Sequence, residues 1–250
     1  MTDTAAKVVI KAEHHNSKAD LREGRELLNQ GVDHFIFEAP KEQAEYPLQY
    51  RWFQILMWLF NYFIMNRVVY TDHSILKDIA NRHDANKIPT RKANSSLIND
   101  APRGDVATSF AVFAILFIGS ILIGFLYDRL WMLFAGSIVF TGGMTIPVLL
   151  LRVAESDREN NNRDRKIAGE IAAVAKKGER VVAILGDAHC DPVKKKLPER
   201  IEVEFHPTSY NRRHPRQILS DLKLVIIAFP LYVGSYFAFI FILKSVVGSI

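Results

Sequence analysis

Residues 181–190 read VVAILGDAHC, and this stretch decides the fold that we expect. Its five leading apolar residues are rich in β-branched side chains and stop at Gly186, a pattern typical of a strand buried on both faces. Ligands of open α/β sheets bind just beyond the carboxyl ends of such strands, so Asp187 and His189 lie where a site is expected. A loop histidine that caps the following helix explains the same residues about equally well.

The amino-terminal part of the chain predicts a strand–helix–strand unit. Alternating and apolar residues predict strands over 7–12 and 33–39, and a helix over 17–30 separates them. Ser17 is a suitable cap for the start of that helix, and Gly31 is suited to its end. A unit of this kind joins parallel strands, so the carboxyl ends of both strands should share one edge of a sheet.

The next hundred residues are harder to assign. Residues 48–65 predict a helix that is buried in protein or lies on a membrane surface, because Gln54 and the residues after it interrupt the apolar run. Residues 67–72 predict a third strand that ends at Asp72. Residues 73–83 predict a helix, and 86–105 are polar enough to predict a linker.

Three long uncharged stretches, 106–127, 130–151 and 224–243, are each long enough to cross a bilayer as a helix. Only Asp128 and Arg129 separate the first two, which predicts a tight transmembrane hairpin. Small residues occur on both of its helices and would permit close packing.

Between the second and third apolar stretches the chain returns to polar sequence. Helical spacing begins at about Asn162, and the asparagines at 160–162 predict a loop. Pro192 is a suitable first residue for a short helix. Residues 200–206 alternate, which predicts a strand that ends at His206.

These elements predict an α/β fold with a mostly parallel sheet flanked by helices, interrupted by the transmembrane hairpin and followed by a C-terminal transmembrane helix. If residues 52–70 crossed the membrane, the two polar halves would lie on opposite sides and could not share a sheet. The expected organisation is the first part of the α/β domain over 1–105, the hairpin over 106–151, the second part over 152–222 and the last helix over 223–250.

The chain has a formal net charge of +5 and a pI of about 9.2. Much of this charge lies beside the apolar stretches, where the positive-inside rule explains it better than nucleic-acid binding does. That rule predicts an integral protein of the cell membrane with a cytoplasmic α/β domain and an external C-terminus. Cys190 is the single cysteine, so no intrachain disulfide is possible, and we expect no cleaved signal peptide because the first 30 residues lack an apolar core.

Histidines and carboxylates follow the predicted strands. The inner candidates are His14 or His15, Glu38, Asp187 and His189, and the outer candidates are Asp72 and His206. Two imidazoles and a carboxylate are the usual protein ligands of a catalytic divalent ion, and a further Glu or Asp could serve as a base. The spacing matches no standard zinc motif.

The order of these motifs resembles the TraB/Tiki group, which is related in fold to the ChaN and erythromycin-esterase proteins. That group has a GxxH motif after a strand, a strand ending in Glu, an ERDR-like helix and a second GxxH. Here the second motif is Gly186-Asp187-Ala188-His189, the Glu strand is FIFEAP with Glu38, and the helix motif reads Asn162-Arg163-Asp164-Arg165. In the first motif, AEHHNS, Ala12 stands where Gly is usual, and alignment on Ser17 makes His15 the matching histidine while His14 stays open.

The resemblance implies a hydrolase dependent on a divalent metal such as manganese, cobalt or zinc, and for Tiki-like proteins a metalloprotease. It assigns the motif histidines and Glu38 to the metal, with Arg163 orienting a carboxylate. The expected partners are the lipid bilayer and a peptide or protein substrate, and a homo-oligomer stays open. An alternative is a non-catalytic membrane protein that binds a signal peptide or protein partner through the same cleft. A transporter is disfavoured because the apolar stretches hold no charged residue or histidine.

Overall fold

The structure is a computed structural model, and it describes residues 7–15, 17–40, 45–62, 73–92, 95–126, 129–176, 178–211 and 213–247. Helices and strands alternate along most of the chain, with two long apolar helices between the third and fourth strands. The elements are β1 (Lys7–Glu13), α1 (Lys18–Asn29), β2 (His34–Pro40), α2 (Arg51–Phe60), α3 (His73–Arg82), β3 (Asn86–Arg91), α4 (Ser96–Asn99), α5 (Arg103–Leu126), α6 (Leu130–Val174), β4 (Arg180–Gly186), α7 (Asp187–Lys196), β5 (Glu202–His206) and α8 (Pro215–Val247).

Five parallel strands form one sheet in the order β3-β2-β4-β1-β5. The strand predicted from VVAIL is therefore the central one, with β2 on one side and β1 on the other. Its register with β1 pairs Val181 with Val8 and Gly186 with Glu13. The predicted α/β fold with a parallel sheet flanked by helices is confirmed.

Helices cover both faces of the sheet. Alternate side chains of the central strands, such as Val181 and Ala183, pack with Ile167 and Ile171 of α6 and with Val193 of α7. The opposite side chains pack against α1 and α3 through buried residues that include Val9, Val182, Ile184, Leu28 and Leu76. This burial on both faces explains why the central strand is an unbroken apolar run.

The first helix begins and ends as its sequence predicts. The Ser17 hydroxyl accepts a hydrogen bond from the Asp20 N–H at 3.2 Å, which satisfies one of the free amides of the first turn. Gly31 follows the helix with a φ of 99°, a left-handed conformation that glycine adopts without strain. Together they fix the length of the connection between β1 and β2.

A buried ion pair ties β1 to α1 and to the segment after β5. The Lys11 side chain is fully buried, and its ammonium lies 3.1 Å from Asp20 and 2.6 Å from Glu23. Lys11 also donates to the Pro207 carbonyl at 2.6 Å, and Asp20 accepts from both the N–H and the hydroxyl of Ser209. Because every charge here has a partner, the chain after β5 is held firmly against the sheet.

The chain divides into two compact units. The sheet and its covering helices form the first, which consists of residues 1–43, 70–93 and 158–221. The second consists of residues 44–69, 94–157 and 222–250, and it contains α2, α5, most of α6 and most of α8.

Small residues let the helices of the second unit approach closely. The Tyr236 hydroxyl donates to the Ser120 carbonyl at 2.7 Å. It lies in space that side chains at Gly124 and Gly136 would occupy. A side chain at Gly143 would likewise crowd Leu116 of α5. These contacts join α5, α6 and α8 by packing of the kind that membrane helices use.

Three helices are long and apolar enough to cross a membrane, namely Arg103–Leu126, Leu130–Ser156 and Phe229–Val247. Their outer surfaces carry exposed large apolar side chains, among them Ile115, Leu122 and Phe241. This length and surface are consistent with membrane association.

The linker predicted over 86–105 is wrong. Residues 86–91 form β3, which pairs with β2 so that Ile36 lies beside Ile88, and residues 96–99 and 103–105 are helical. The strand had no apolar alternation because it lies at the edge of the sheet, where Pro89 is tolerated. The strand predicted over 67–72, including Asp72, lies outside the described residues.

Two helix boundaries also differ from the prediction. The asparagines at 160–162 are helical, because α6 continues from Leu130 to Val174 with no glycine or proline in its polar middle part. Helix α7 begins at Asp187 and not at Pro192, which lies inside it. Asp187 therefore occupies the first turn, where the positive end of the helix dipole stabilises a carboxylate.

Candidate functional site

The candidate site lies at the carboxyl edge of the three central strands, all within the first unit. Helix α1, which follows β1, covers one face of the sheet, whereas α7, which follows β4, covers the other. Neighbouring strands whose connections leave in opposite directions open a crevice between them, the usual place for a ligand in an open α/β sheet. The crevice begins where Glu13 of β1 pairs with Gly186 of β4.

Glu38 at the end of β2 is a buried carboxylate with two firm partners. Arg163 of α6 donates to its Oε2 at 2.7 Å, and the Gly186 N–H donates to its Oε1 at 2.9 Å. Burial alone would raise the pKa of this carboxyl, but the Arg163 guanidinium, the nearby imidazoles and the Gly186 N–H together lower the pKa from its ordinary value. Glu38 is therefore ionised at neutral pH.

The absence of a side chain at Gly186 leaves room for the Glu38 carboxylate. A side chain there would begin 3.2 Å from Glu38 Oε1 and 3.6 Å from His15 Nε2, both tight or close contacts. The glycine of this motif is thus explained by the close approach of Glu38, and its backbone conformation is an ordinary one.

His15 lies beside Glu38 and is oriented by Glu13. Its Nδ1 lies 2.9 Å from Glu13 Oε1, and its Nε2 lies 4.0 Å from Glu38 Oε2. Burial lowers the pKa of His15, but the hydrogen bond and negative charge of Glu13, with the charge of Glu38, outweigh burial, so the pKa of His15 is raised. The Glu13 contact holds a proton on Nδ1, which leaves Nε2 as the basic nitrogen of the neutral ring.

His189 is held in the same way by a different acid. Its Nδ1 lies 2.8 Å from Asp164 Oδ1, and Lys196 lies 3.5 Å from the other oxygen of Asp164. Asp164 is next to Arg163 on α6, so consecutive residues of one helix contact Glu38 and His189. This places both side chains of the Arg163-Asp164 pair in the site.

Both imidazoles contact a carboxylate through Nδ1 and keep part of their surface exposed. The side chains of His15 and His189 retain 30% and 18% of their exposure, whereas Glu38 retains 5%. Solvent therefore reaches both imidazoles, and the Glu38 carboxylate lies 4.0 Å from His15 Nε2. Metal-binding histidines commonly have this arrangement, because the carboxylate fixes the ring and increases its basicity.

The structure does not bring every predicted candidate into this group. The His14 ring contacts the Tyr210 carbonyl at 3.1 Å, so the side chain that lies beside Glu38 is that of His15. His206 contacts Glu204 at 2.9 Å at the exposed end of β5. Asp187 is exposed in the first turn of α7, one residue after Gly186.

Two acids of the site, Glu13 and Asp164, were not among the predicted candidates. Glu13 is the last residue of β1, and its side chain is 1% exposed. Its place in the sequence, next to two histidines, gave no sign that the carboxylate would be buried. Asp164 lies inside the quoted Asn-Arg-Asp-Arg motif, so its neighbour Arg163 was a usable signal. Cys190 is buried as expected, and burial raises the pKa of its thiol to about 12, so it stays protonated.

The donor atoms suit a divalent metal in type, but they are not gathered as a finished site. Within the described ranges, no group of three or more His, Cys, Asp or Glu side chains is placed to hold a metal ion. His15 and His189 are nevertheless both oriented at Nδ1 by an acid, and Glu38 is an ionised oxygen donor beside His15. Comparison with protein-family profiles, curated proteins and solved structures finds no match to this chain.

Because Glu38 is paired with Arg163, we expect the free energy of unfolding to depend on pH. The pKa of Glu38 is lowered on folding, so its contribution is complete above the ordinary value of 4.5 and is lost as the pH falls through the lower folded value. Arg163→Gln should destabilise the fold by about 2 kcal/mol at neutral pH and move the acid unfolding midpoint upward. Thermal unfolding of the full chain in detergent with a chelator, followed against pH, measures both effects.

Arg165→Gln is the matched control for this substitution, since Arg165 is exposed on the same helix. It should leave both the neutral stability and the acid midpoint unchanged. Equal effects of the two substitutions would contradict the role given to the Glu38–Arg163 pair.

Asp164 should decide which nitrogen of His189 carries the proton. In the wild type the proton should reside on Nδ1, and Asp164→Ala should shift the neutral ring toward the Nε2–H form, because the acceptor at Nδ1 is gone. Nitrogen NMR of histidine-labelled protein in detergent distinguishes the two forms. Asp191→Ala, an exposed acid on α7, is the control, and an unchanged His189 spectrum in Asp164→Ala would refute the assignment.

Proposed function

We propose that this chain is a membrane-anchored hydrolase that depends on a divalent metal and acts on peptide bonds, like the TraB/Tiki group that its motifs resemble. The observation that supports this most directly is the pair of imidazoles, His15 and His189, each held at Nδ1 by an acid and each adjoining the crevice of Glu38. Histidines that bind metals commonly donate their other ring N–H to a carboxylate, and the carboxyl edge of a parallel sheet is the usual place for a ligand.

The environment of each residue in the site indicates its role in the proposed reaction. Glu13 and Asp164 fix the two rings, and the Nε2 atoms of His15 and His189 would hold the ion with Glu38. Such an ion polarises a carbonyl and lowers the pKa of a bound water. Manganese, cobalt and zinc are the candidate metals, since imidazole and carboxylate suit all three.

Glu38 is better suited to attract a cation than to move a proton. A general base works best with a pKa near the operating pH, whereas the pKa of Glu38 is lowered and Arg163 remains beside it. Arg163 therefore orients the carboxylate. The exposed Asp187, at the start of α7 and one residue from Gly186, is the candidate base of the reaction.

The alternative is a membrane protein that binds a signal peptide or another protein through the same crevice without cleaving it. One observation favours it. Ala12 replaces the usual glycine of the first motif, and its side chain packs in the core below the sheet edge.

The three apolar helices support membrane attachment of either kind of protein. Strands from before and after α5 and the apolar part of α6 share one sheet, so any crossing there must return to its starting side. We infer a transmembrane hairpin, a final transmembrane helix and, from the positive charges, a sheet domain in the cytoplasm of a cell-membrane protein. A homo-oligomer would be compatible with these exposed helices.

Metal binding tests the hydrolase. Manganese, cobalt or zinc should raise the melting temperature of the full chain in detergent. At a metal concentration about one hundred times the dissociation constant, the free energy of unfolding should increase by about 2.7 kcal/mol. His15→Ala and His189→Ala should abolish the shift, and His206→Ala should keep it, because His206 contacts only Glu204 among the described acids. The metal that binds should support cleavage of an unstructured peptide library.

The outcomes separate the two candidates. The non-catalytic alternative would be established if metals left the melting temperature unchanged while the protein still bound peptides, and if His189→Ala abolished that peptide binding. No metal shift and no peptide binding would reject both.

Membrane orientation is tested by a reporter fused after the last helix. We expect an alkaline phosphatase fusion to be active and a cytoplasmic fluorescent reporter to be dark, because an odd number of crossings separates the C-terminus from the sheet domain. The opposite pattern would place both on one side and contradict the three-crossing arrangement.

A further inference from the structure

The turn between β5 and α8 is a compact cluster of cationic and aromatic side chains. Tyr210, Arg213, His214 and Arg216 form it, and we call it the basic turn. From residue 207 to residue 220 the sequence holds three arginines, one histidine and no acidic residue. The side chains of Arg213, His214 and Arg216 are exposed. None of these four residues takes part in the hydrolase site proposed above.

Two members of the basic turn, His214 and Arg216, are held in place by contacts with Tyr210 and with each other. The Tyr210 and His214 rings stack with centroids 4.6 Å apart, and the Arg216 guanidinium lies 5.6 Å from the Tyr210 ring centre. Arg216 also donates to the Tyr210 hydroxyl at 2.7 Å. The Arg216 N–H donates to His214 Nδ1 at 3.3 Å, so the Nε2 of His214 is the nitrogen that carries its proton outward. Arg216 and His214 therefore have less side-chain freedom to lose on binding an anion.

The start of this segment is anchored to the sheet. Pro207 accepts from the buried Lys11, Ser209 donates to the buried Asp20, and the Tyr210 carbonyl contacts the His14 ring at 3.1 Å. The cluster is therefore a fixed surface feature of the first unit, and its position is set by buried ion pairing.

Apolar side chains follow the cations at once. Ile218 and Leu219, in the first turns of α8, are 46% and 58% exposed. In the sequence, an uncharged stretch of membrane-spanning length, 224–243, begins directly after Lys223. Cations followed by exposed apolar residues next to a membrane span are the composition that recognises an anionic bilayer surface.

We propose that the basic turn binds the headgroups of anionic phospholipids, with Arg213 and Arg216 contacting the lipid phosphate and with Ile218 and Leu219 against the acyl boundary. Arginine suits phosphate because its planar fork donates two parallel hydrogen bonds. The exposed apolar residues and the adjoining span favour a lipid over a nucleic acid, which would gain nothing from them.

The test compares two lipids on the full chain in a nonionic detergent. Micelles doped with phosphatidylglycerol or with phosphatidylcholine are titrated onto the labelled protein, and the apparent dissociation constants are measured at low and high salt. We expect tighter binding of phosphatidylglycerol and a smaller preference at high salt, because screening weakens exposed charges. A basic residue near an anionic surface strengthens binding by about fivefold, so R213Q with R216Q should weaken phosphatidylglycerol binding on the order of 20-fold.

The control is R22Q with R25Q, which removes the same charge from exposed positions of α1. It should keep the lipid preference. Tyr210→Phe keeps the ring but loses the hydroxyl that Arg216 contacts, so it should weaken binding partially and with little effect on folding.

Three results would overturn the proposal. Equal affinity of the wild type for both lipids would do so, and so would an equal loss in the two double variants. The third is a single-stranded oligonucleotide that binds through Arg213 and Arg216 while phosphatidylglycerol binding is unaffected by their substitution. Because none of these measurements involves metal or cleavage, their failure is distinct from failure of the proposed hydrolase.

Discussion

The carboxylate of Glu38 is almost fully removed from water, and the site depends on how its charge is compensated. An isolated buried carboxylate is costly, so the fold must supply donors. Arg163 comes from the C-terminal part of the 45-residue helix α6, and the Gly186 N–H comes from the end of the central strand. Three segments that are distant in sequence therefore meet at one charge, and the geometry of the crevice follows from that meeting.

The two imidazoles extend the same principle outward. Glu38 is buried, whereas the rings of His15 and His189 are partly exposed, and their Nδ1 atoms contact separate acids. The acids come from different elements, β1 and α6, so each ring is oriented independently of the other. Rings that are already oriented lose less side-chain freedom when a ligand binds them.

The sequence was sufficient for the centre of this fold and insufficient for its periphery. The strands over 7–12, 33–39 and 181–185 were predicted nearly to their ends, because strands buried on both faces must be apolar. Strand β3 was missed because an edge strand with Pro89 needs neither apolar alternation nor a full set of hydrogen bonds. The parallel strand–helix–strand unit predicted that the residues after β1 and Glu38 would share one edge of the sheet. The choice of His15 over His14, and the roles of Glu13 and Asp164, depend on side-chain directions that strand and helix patterns do not specify.

The position of β4 has a consequence for synthesis on the ribosome. Both neighbours of β1, which are β4 and β5, are made after it, and about 170 residues of translation separate β1 from β4. At about 5–20 residues per second, the apolar edge of β1 waits on the order of ten to thirty seconds for a partner. Helix α5 and the apolar part of α6 are made during that interval, whereas α8 is made after β4 and β5. Closure of the sheet around β1 therefore waits until two of the three apolar helices have been synthesised.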